Sequence, residues 1–212
     1  APRLGALARD LGVVALRFSG KGHGGEAPGV LLHEDSLGVS LAFEPGVFVQ
    51  ANREMNAVLV ETATVAAGGG GRFVEVYAGA GNFTVHLGAR FDRGQALESD
   101  RRAVSALRHN VAARPGRVEV LRERDARSAG RLSSSAPADL LLADPPRAGM
   151  RALEPIWREA PPGRIVMVSC HPMAAVRDLK ALARAGYRLE EVVAVDMFPG
   201  THHLEIVATL SR

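Results

Sequence analysis

The feature that most constrains the fold is a regular alternation of apolar runs and helical patterns that begins at Arg72. Five apolar runs predict strands at residues 72–77, 95–98, 118–122, 139–144 and 164–170. The segments between them predict helices at residues 82–90, 100–113, 151–159 and 174–185. This alternation is typical of an α/β fold with a mostly parallel sheet and helices on both faces. Two further strands at residues 188–197 and 203–210 follow without a helix, which predicts an antiparallel hairpin at one edge of a seven-stranded sheet.

The first 45 residues follow a different pattern. Short strands are predicted at residues 13–18, 30–33 and 39–43, with a glycine-rich loop at 19–29 and a connection through Glu34-Asp35-Ser36. The turn residues Glu44-Pro45-Gly46 follow, and helical spacing resumes at residues 54–67. We therefore expect a small β-rich subdomain at residues 1–45 and the α/β domain at residues 46–212.

Composition excludes several kinds of protein. The 212 residues contain one cysteine, which excludes an internal disulfide and a multi-cysteine zinc or iron–sulfur site. A single cysteine fits a reducing cytoplasm best. No apolar run approaches 18 residues, so no membrane span is expected, and the start lacks a signal-peptide pattern. The formal net charge is +3, and Lys21 and Lys180 are the only lysines. Arginine suits phosphate recognition, although compositional bias would also produce this excess.

A glycine-containing turn at the end of the first strand of the alternation indicates a nucleotide-like ligand. Tyr77-Ala78-Gly79-Ala80-Gly81-Asn82 lies where a strand passes into a helix, and glycines there let the backbone approach a ligand. Glu98 ends the next strand, where a carboxylate can accept the hydroxyls of a ribose. Thr84 stands where a diphosphate-binding loop has its third glycine, which favours a cofactor without a diphosphate. A tight turn without a ligand would also use these glycines.

Three more side chains are candidates for chemistry near the same edge of the sheet. Asp144 precedes two prolines, which form a rigid turn that either presents the carboxylate or simply ends the strand. Cys170 ends a buried strand, as either a nucleophile or an inert thiol. Glu205 interrupts an apolar strand, where a carboxylate is costly unless it is paired or functional. A metal site is disfavoured because Cys170 is the only thiol and no ligand spacing matches.

With these residues in place, the chain resembles the RNA uracil-5-methyltransferases, which use S-adenosylmethionine, over about residues 39–212. The motifs that carry the resemblance are Phe48-Val49-Gln50-Ala51-Asn52, the Tyr77–Thr84 loop, Asp144-Pro145-Pro146-Arg147-Ala148-Gly149, Val168-Ser169-Cys170-His171-Pro172, Arg177-Asp178-Leu179, and Asp196-Met197-Phe198-Pro199 with Thr201, His203 and Glu205. The resemblance implies a class I methyltransferase fold.

The resemblance also implies roles for individual residues. Cys170 would be the nucleophile and Glu205 the base. The cofactor would be surrounded by Gln50, Tyr77, Asn82, Glu98, Asp125 and Asp144, together with Gly79 of the glycine turn. We expect the substrate to be contacted by Arg147, His171 and His203, while Arg151 and Arg177 are either phosphate contacts or solvated surface charges.

The chain departs from the family pattern in several places. Glu75 stands where the family usually has Asp, Ala78 where Cys or Ser is frequent, His171 where Asn is common, and Gly200 where a polar residue is common. The N-terminal RNA-binding β-barrel and the four-cysteine cluster of many relatives are not found in this sequence, so no iron–sulfur cluster is expected.

The resulting hypothesis is methyl transfer from S-adenosylmethionine to C5 of a uridine in rRNA or tRNA, through a covalent bond between Cys170 and C6. RNA is the expected partner, and no obligate protein partner is inferred. Three alternatives remain open. An amino-methyltransferase would place an aromatic residue where Arg147 stands and needs no thiol. A cytosine-5 methyltransferase would use similar thiol chemistry. A non-catalytic relative would bind RNA or cofactor without turnover.

Overall fold

The computed structural model describes residues 17–20, 23–26, 32–113, 116–122 and 137–212. Asp125 and most of the first predicted strand lie outside these ranges. Within them, no helix is long and apolar enough to cross a membrane.

Two antiparallel pairs precede the main sheet: β1 (Arg17–Gly20) with β2 (His23–Glu26), and β3 (Leu32–Ser36) with β4 (Val39–Phe43). The prediction of a loop throughout residues 19–29 was therefore wrong. The prediction of a connection through Glu34–Ser36 was also wrong, because these residues belong to β3. The reversal falls on Leu37 and Gly38, whose φ angles of 49° and 75° give the left-handed backbone that a tight hairpin requires. The division of the chain at residue 45 stays a prediction.

The central sheet contains seven strands in the order β10-β11-β9-β8-β5-β6-β7. Their bounds are β5 Gly70–Val76, β6 Phe91–Glu98, β7 Val118–Arg122, β8 Leu140–Ala143, β9 Arg164–Ser169, β10 Arg188–Asp196 and β11 Leu204–Ser211. Strands β5 to β9 pair in parallel, whereas β11 runs antiparallel to both β9 and β10. The predicted α/β class, the mostly parallel sheet and its antiparallel edge are confirmed.

Helices cover both faces of this sheet: α1 (Arg53–Ala67), α2 (Thr84–Leu87), α3 (Arg101–Ala112), α4 (Glu154–Glu159) and α5 (Pro172–Arg184). Alternate residues of β5 show the two layers. Phe73 packs with Leu59 of α1 and Leu87 of α2, whereas Val74 packs with Trp157 of α4 and Leu182 of α5. Period-two alternation of a buried central strand thus builds one apolar core on each face.

Two predicted helices are shorter than their sequence patterns suggest. The helix predicted at residues 82–90 is reduced to the single turn of α2, because the preceding turn continues through Phe83 and Gly88 ends the helix. The helix predicted at residues 151–159 starts as a 3₁₀ turn, Arg151–Leu153. The α-helix begins at Glu154. Pro155 suits the first turn because proline has no backbone N–H, and N–H groups in the first turn have no acceptor within the helix.

Candidate active site

The carboxyl ends of β5, β6, β8 and β9 open into one cavity of about 690 Å³. Parallel strands that end at the same edge create such a crevice, and open α/β sheets bind ligands there. Nine of the residues predicted from the sequence line this cavity: Gln50, Tyr77, Gly79, Asn82, Glu98, Asp144, Arg147, Cys170 and Glu205. The fold thus brings together side chains that are up to 155 residues apart, from Gln50 to Glu205.

The turn after β5 is held against the end of β6 by Glu98. Tyr77, Gly79 and Gly81 have φ angles of 64°, 56° and 103°, so the chain turns through a left-handed backbone. The Gly79 N–H donates to Glu98 Oε2 at 2.9 Å, and the Asp100 N–H donates to Glu98 Oε1 at 2.8 Å. A Cβ built on Gly79 would meet no atom within 4 Å, so the space beside this glycine is open to a ligand.

An amide pair connects the same turn to α1. The Asn82 side chain both donates to and accepts from Asn56, at 2.8 and 3.1 Å, and Asn56 is buried. At the start of α1, Asn52 caps the helix by accepting from the Met55 N–H and donates to the Met197 carbonyl. These contacts fix the segment that carries Gln50 relative to the strands.

The Asp144 turn is braced from behind by α5. Asp178 is buried, and its Oδ2 accepts from the Met150 N–H at 2.7 Å. The guanidinium of Arg177 bonds both Asp178 and the Ala148 carbonyl, each at 2.7 Å. Gly149 has a φ of 80°, and a Cβ there would collide with Arg177 and Asp178. The motif glycine is therefore needed for both backbone conformation and close packing.

Cys170 and Glu205 lie side by side because β11 runs antiparallel to β9. Ser169 is paired with Ile206 and Val168 with Val207, so the next position along each strand places Cys170 opposite Glu205. Side chains two residues apart share a face of the sheet, and Val168 and Val207 both pack in the core beneath α1. Cys170 and Glu205 therefore point toward that same face, where the cavity opens.

Desolvation raises the pKa values of the Asp144 and Glu205 carboxyl groups and of the Cys170 thiol, although Cys170 is exposed in the open cavity. Desolvation raises the pKa of Asp144 to about 7. Burial, followed by the charge of Asp144, raises the pKa of Glu205 to about 7, and Glu205 is 8% exposed. The pKa of the Cys170 thiol is also raised, first by desolvation and then by Glu205 and Asp144, although Arg147 opposes the rise. The site thus holds an excess of carboxyl groups that a cationic ligand would offset.

Comparison with known proteins identifies the family. The family model described as tRNA (Uracil-5-)-methyltransferase matches residues 38–212. The chain belongs to this family. It is 36% identical to the 23S rRNA (uracil(1939)-C(5))-methyltransferase RlmD of Chromohalobacter salexigens, over 89% of this chain and 40% of the relative. It is 33% identical to RlmD of Alkalilimnicola ehrlichii, over 99% of this chain and 50% of the relative. The chain thus spans half or less of the length of these family members.

A solved structure shares the fold. The tRNA (uracil-54, C5)-methyltransferase of Pyrococcus abyssi, in complex with S-adenosyl-L-homocysteine, superposes with a TM-score of 0.72 at 30% identity. The match covers 88% of this chain and 45% of the archaeal chain. The predicted resemblance to the uracil-5-methyltransferase family and the class I methyltransferase fold are confirmed.

Two residues predicted from the family motifs, His171 and His203, are not in the cavity lining that the structure describes, and a third, Asp125, is not described. His171 caps α5, since its Nδ1 accepts from the Ala174 N–H at 3.2 Å. His203 is exposed and stacks on His202, with ring centroids 4.6 Å apart. Asp125 lies outside the described residues. The roles suggested for these three residues stay predictions.

Glu75, to which the sequence assigned no role, lies on β5 inside the seven-stranded sheet. It is 1% exposed, and burial raises its pKa to about 8, although the Thr84 hydroxyl opposes the rise. The signal that drew attention to Glu205, a carboxyl group in an apolar strand, also applies to Glu75 between Val74 and Val76. Thr84 itself is buried at the start of α2.

Proposed function

We propose that this chain transfers the methyl group of S-adenosylmethionine to C5 of a uridine in RNA. The observation that carries the proposal is the shared cavity, which places the Cys170 thiol, the Glu205 carboxyl group and the Gly79–Glu98 turn within one volume of about 690 Å³. A nucleophile, a base and a nucleoside-binding turn are the three components that this chemistry requires. The named relatives act on uracil in 23S rRNA and in tRNA, which supports RNA as the substrate class.

The residues of the cavity fit a sulfonium cofactor. Glu98 can accept ribose hydroxyls while its oxygens also hold the Gly79 and Asp100 N–H groups. Asp144 and Glu205 are carboxyl groups whose pKa values are raised by desolvation, and a positive charge placed beside them would favour their ionised forms. Gln50, Tyr77 and Asn82 complete this part of the lining. When bound, S-adenosylmethionine supplies an electrophilic methyl group.

Cys170 acts first, because C5 of uracil is a poor nucleophile until C6 has gained a substituent. The Cys170 thiolate adds to C6, the S–C6 bond forms, and the electrons of the C5–C6 double bond pass into an enolate. C5 can then accept the methyl group. Thiolate is the reactive form, and the guanidinium of Arg147 favours it against the carboxyl groups nearby.

Glu205 acts second, as the base. It removes the proton from C5, the C5–C6 double bond re-forms, and the S–C6 bond breaks to release the Cys170 thiolate. Because burial raises the pKa of Glu205 to about 7, the carboxylate is a stronger base than an exposed glutamate and is still ionised in part at neutral pH. A uridine in a stacked helix cannot reach this cavity, so the target base is unstacked or flipped.

Labelled methyl transfer to unmodified rRNA and tRNA, followed by nucleoside analysis, tests the proposal. We expect 5-methyluridine as the labelled nucleoside, and its loss in Cys170→Ala with cofactor binding retained. 5-Methylcytidine, an N-methylated purine, or undiminished turnover in Cys170→Ala would contradict the proposal. Cofactor binding without any labelled nucleoside would indicate a non-catalytic relative.

A further inference from the structure

A second concave surface, of about 600 Å³, lies between α4 and α5 and is separate from the cavity described above. We call it the arginine groove. Five arginines line it: Arg151, Arg158, Arg177, Arg184 and Arg212. They come from the 3₁₀ turn, α4, α5 and the end of the chain, so residues distant in sequence converge on one surface. Two acidic residues, Glu154 and Asp178, share the lining.

The groove retains positive charge after its internal ion pairs are counted. Arg158 pairs with Glu154 at 2.7 Å, and Arg177 pairs with the buried Asp178 at 2.7 Å. Arg151 and Arg184 are exposed, and neither has a side-chain hydrogen bond or ion pair to the residues that the structure describes. Arg212 also lines the groove. Two uncompensated guanidinium groups therefore face one concave surface.

The groove and the proposed active site share one turn, residues 147–151. Arg147 lines the cavity, and four residues later Arg151 lines the groove. Between them, the Ala148 carbonyl accepts a hydrogen bond from Arg177, which itself lines the groove. The groove and the cavity are therefore joined through residues 147–151, with the groove on the α4–α5 face of the sheet and Cys170 and Glu205 directed toward the α1 face.

We propose that the arginine groove binds the phosphodiester backbone of RNA outside the cavity that receives the target uridine, a proposal that rests on RNA being the substrate. Exposed guanidinium groups on separate elements can contact more than one phosphate of an RNA strand, and the planar fork of arginine suits phosphate oxygens. A site for one small anion would instead direct buried donors at a single point. In this groove, the buried carboxylate of Asp178 already occupies the Arg177 fork.

Salt-dependent RNA binding tests the groove. The groove variant Arg151→Gln/Arg184→Gln is compared with the control Arg108→Gln/Arg117→Gln, which removes two exposed arginines elsewhere on the surface. Binding of a fluorescent single-stranded RNA containing uridine is measured by anisotropy at several salt concentrations. We expect the groove variant to bind about tenfold more weakly at low salt. Its slope of log K against log salt should fall by roughly 1.4, since each phosphate contact on a single strand contributes about 0.7.

Equal RNA affinity and equal salt slopes in the two variants would contradict the proposal that the groove binds RNA. A wild-type chain that binds no RNA would contradict it as well. Thermal unfolding and cofactor binding, measured for both variants, exclude misfolding as the cause of any difference. The failure of the groove differs from the failure of the proposed function. If wild type makes 5-methyluridine and the variants match, the groove is wrong and the function stands. If the groove variant alone loses RNA affinity but wild type makes no 5-methyluridine, the groove proposal stands and the proposed function is wrong.

Discussion

At the scale of single residues, three carboxyl groups have strongly raised pKa values. Glu75, Asp144 and Glu205 have pKa values raised to about 8, about 7 and about 7, chiefly by burial. Desolvation disfavours the charged form of an acid, and the described residues near them provide no cation that fully restores it. Ionisation of these groups in the free protein therefore costs stability.

Glu75→Gln tests that cost. Because the pKa of Glu75 is raised from 4.5 to about 8 on folding, the folded chain binds more protons than the unfolded chain between these values. Stability is therefore lost as pH rises from about 4.5 through about 8. Glutamine does not ionise, so we expect the variant to have a higher Tm than wild type at pH 9. The corresponding gain in free energy of unfolding is on the order of a few kcal/mol. The difference should shrink toward pH 5.5.

Thermal unfolding at these two pH values, with the exposed Glu61→Gln as the control, provides the measurement. A Glu75→Gln variant that is less stable than wild type by the same amount at both pH values would show that this carboxyl group is not held protonated by its surroundings.

At the scale of elements, the important contact is the brace between α5 and the Asp144 turn. Asp178 and Arg177 bond the backbone of Met150 and Ala148, and Gly149 leaves no space for a side chain between them. The turn that presents Asp144 to the cavity is thus positioned by a helix on the opposite side of the turn. An exposed turn held by one helix depends on that packing for its geometry.

Gly149→Ala tests the brace, with Gly186→Ala as a matched control. Both glycines have positive φ, at 80° and 91°, but a Cβ at Gly186 meets nothing within 4 Å. The control therefore measures backbone strain alone, about 1–2 kcal/mol. We expect Gly149→Ala to lose more free energy of unfolding than the control and to lose methyl transfer as well. Equal losses in denaturant unfolding would mean that the turn adapts without the brace.

At the scale of the whole molecule, the cavity joins the main sheet to the β3–β4 hairpin. Leu41 and Phe43 of β4 line the cavity, although they precede the α/β alternation in sequence. Asn110 of α3 fixes them in place. Its side chain bonds both the N–H and the carbonyl of Ala42, at 2.8 and 2.9 Å, and the carbonyl of Ala80 at 2.9 Å. One buried amide therefore links the hairpin, a helix and the glycine turn.

Asn110→Ala is expected to disrupt this link. Three hydrogen bonds are removed and the buried Ala42 N–H loses its acceptor, so the free energy of unfolding should fall by about 2 kcal/mol or more. Cofactor affinity should fall as well, because the wall formed by β4 loosens. The exposed neighbour His109→Ala provides the control on the same helix. Unfolding and cofactor titration that do not distinguish the two variants would contradict the proposed role of Asn110.

Much of this fold is predictable from sequence because period-two and helical patterns are local. The strands of the main sheet and the Asp100 cap of α3 follow from neighbouring residues. The length of α2 could not be predicted, because no apolar periodicity marks where the preceding turn ends and the helix begins. The hairpin turn at Leu37 was missed because turn chemistry favours the Asp and Ser residues before it.

The candidate site is predictable in its residue types but not in its contacts. Glu205 was found because a carboxylate in an apolar strand is costly, yet its position beside Cys170 depends on the β9–β11 register, which is a long-range property. The capping role of His171 was also missed, because the favoured capping residues are Ser, Thr, Asp and Asn. Asn110 gave no signal, since its partners are backbone groups.

The central claim is that Cys170 and Glu205 act on the same uridine, and trapping the covalent adduct tests it most directly. Glu205→Gln is incubated with S-adenosylmethionine and a uridine-containing RNA, and the denatured protein is analysed by intact-mass and peptide mass spectrometry. We predict a methylated RNA adduct on Cys170 in Glu205→Gln and no adduct in the double variant Cys170→Ala/Glu205→Gln. A Glu205→Gln protein that binds both ligands but forms no adduct, or forms it at another residue, would contradict the account.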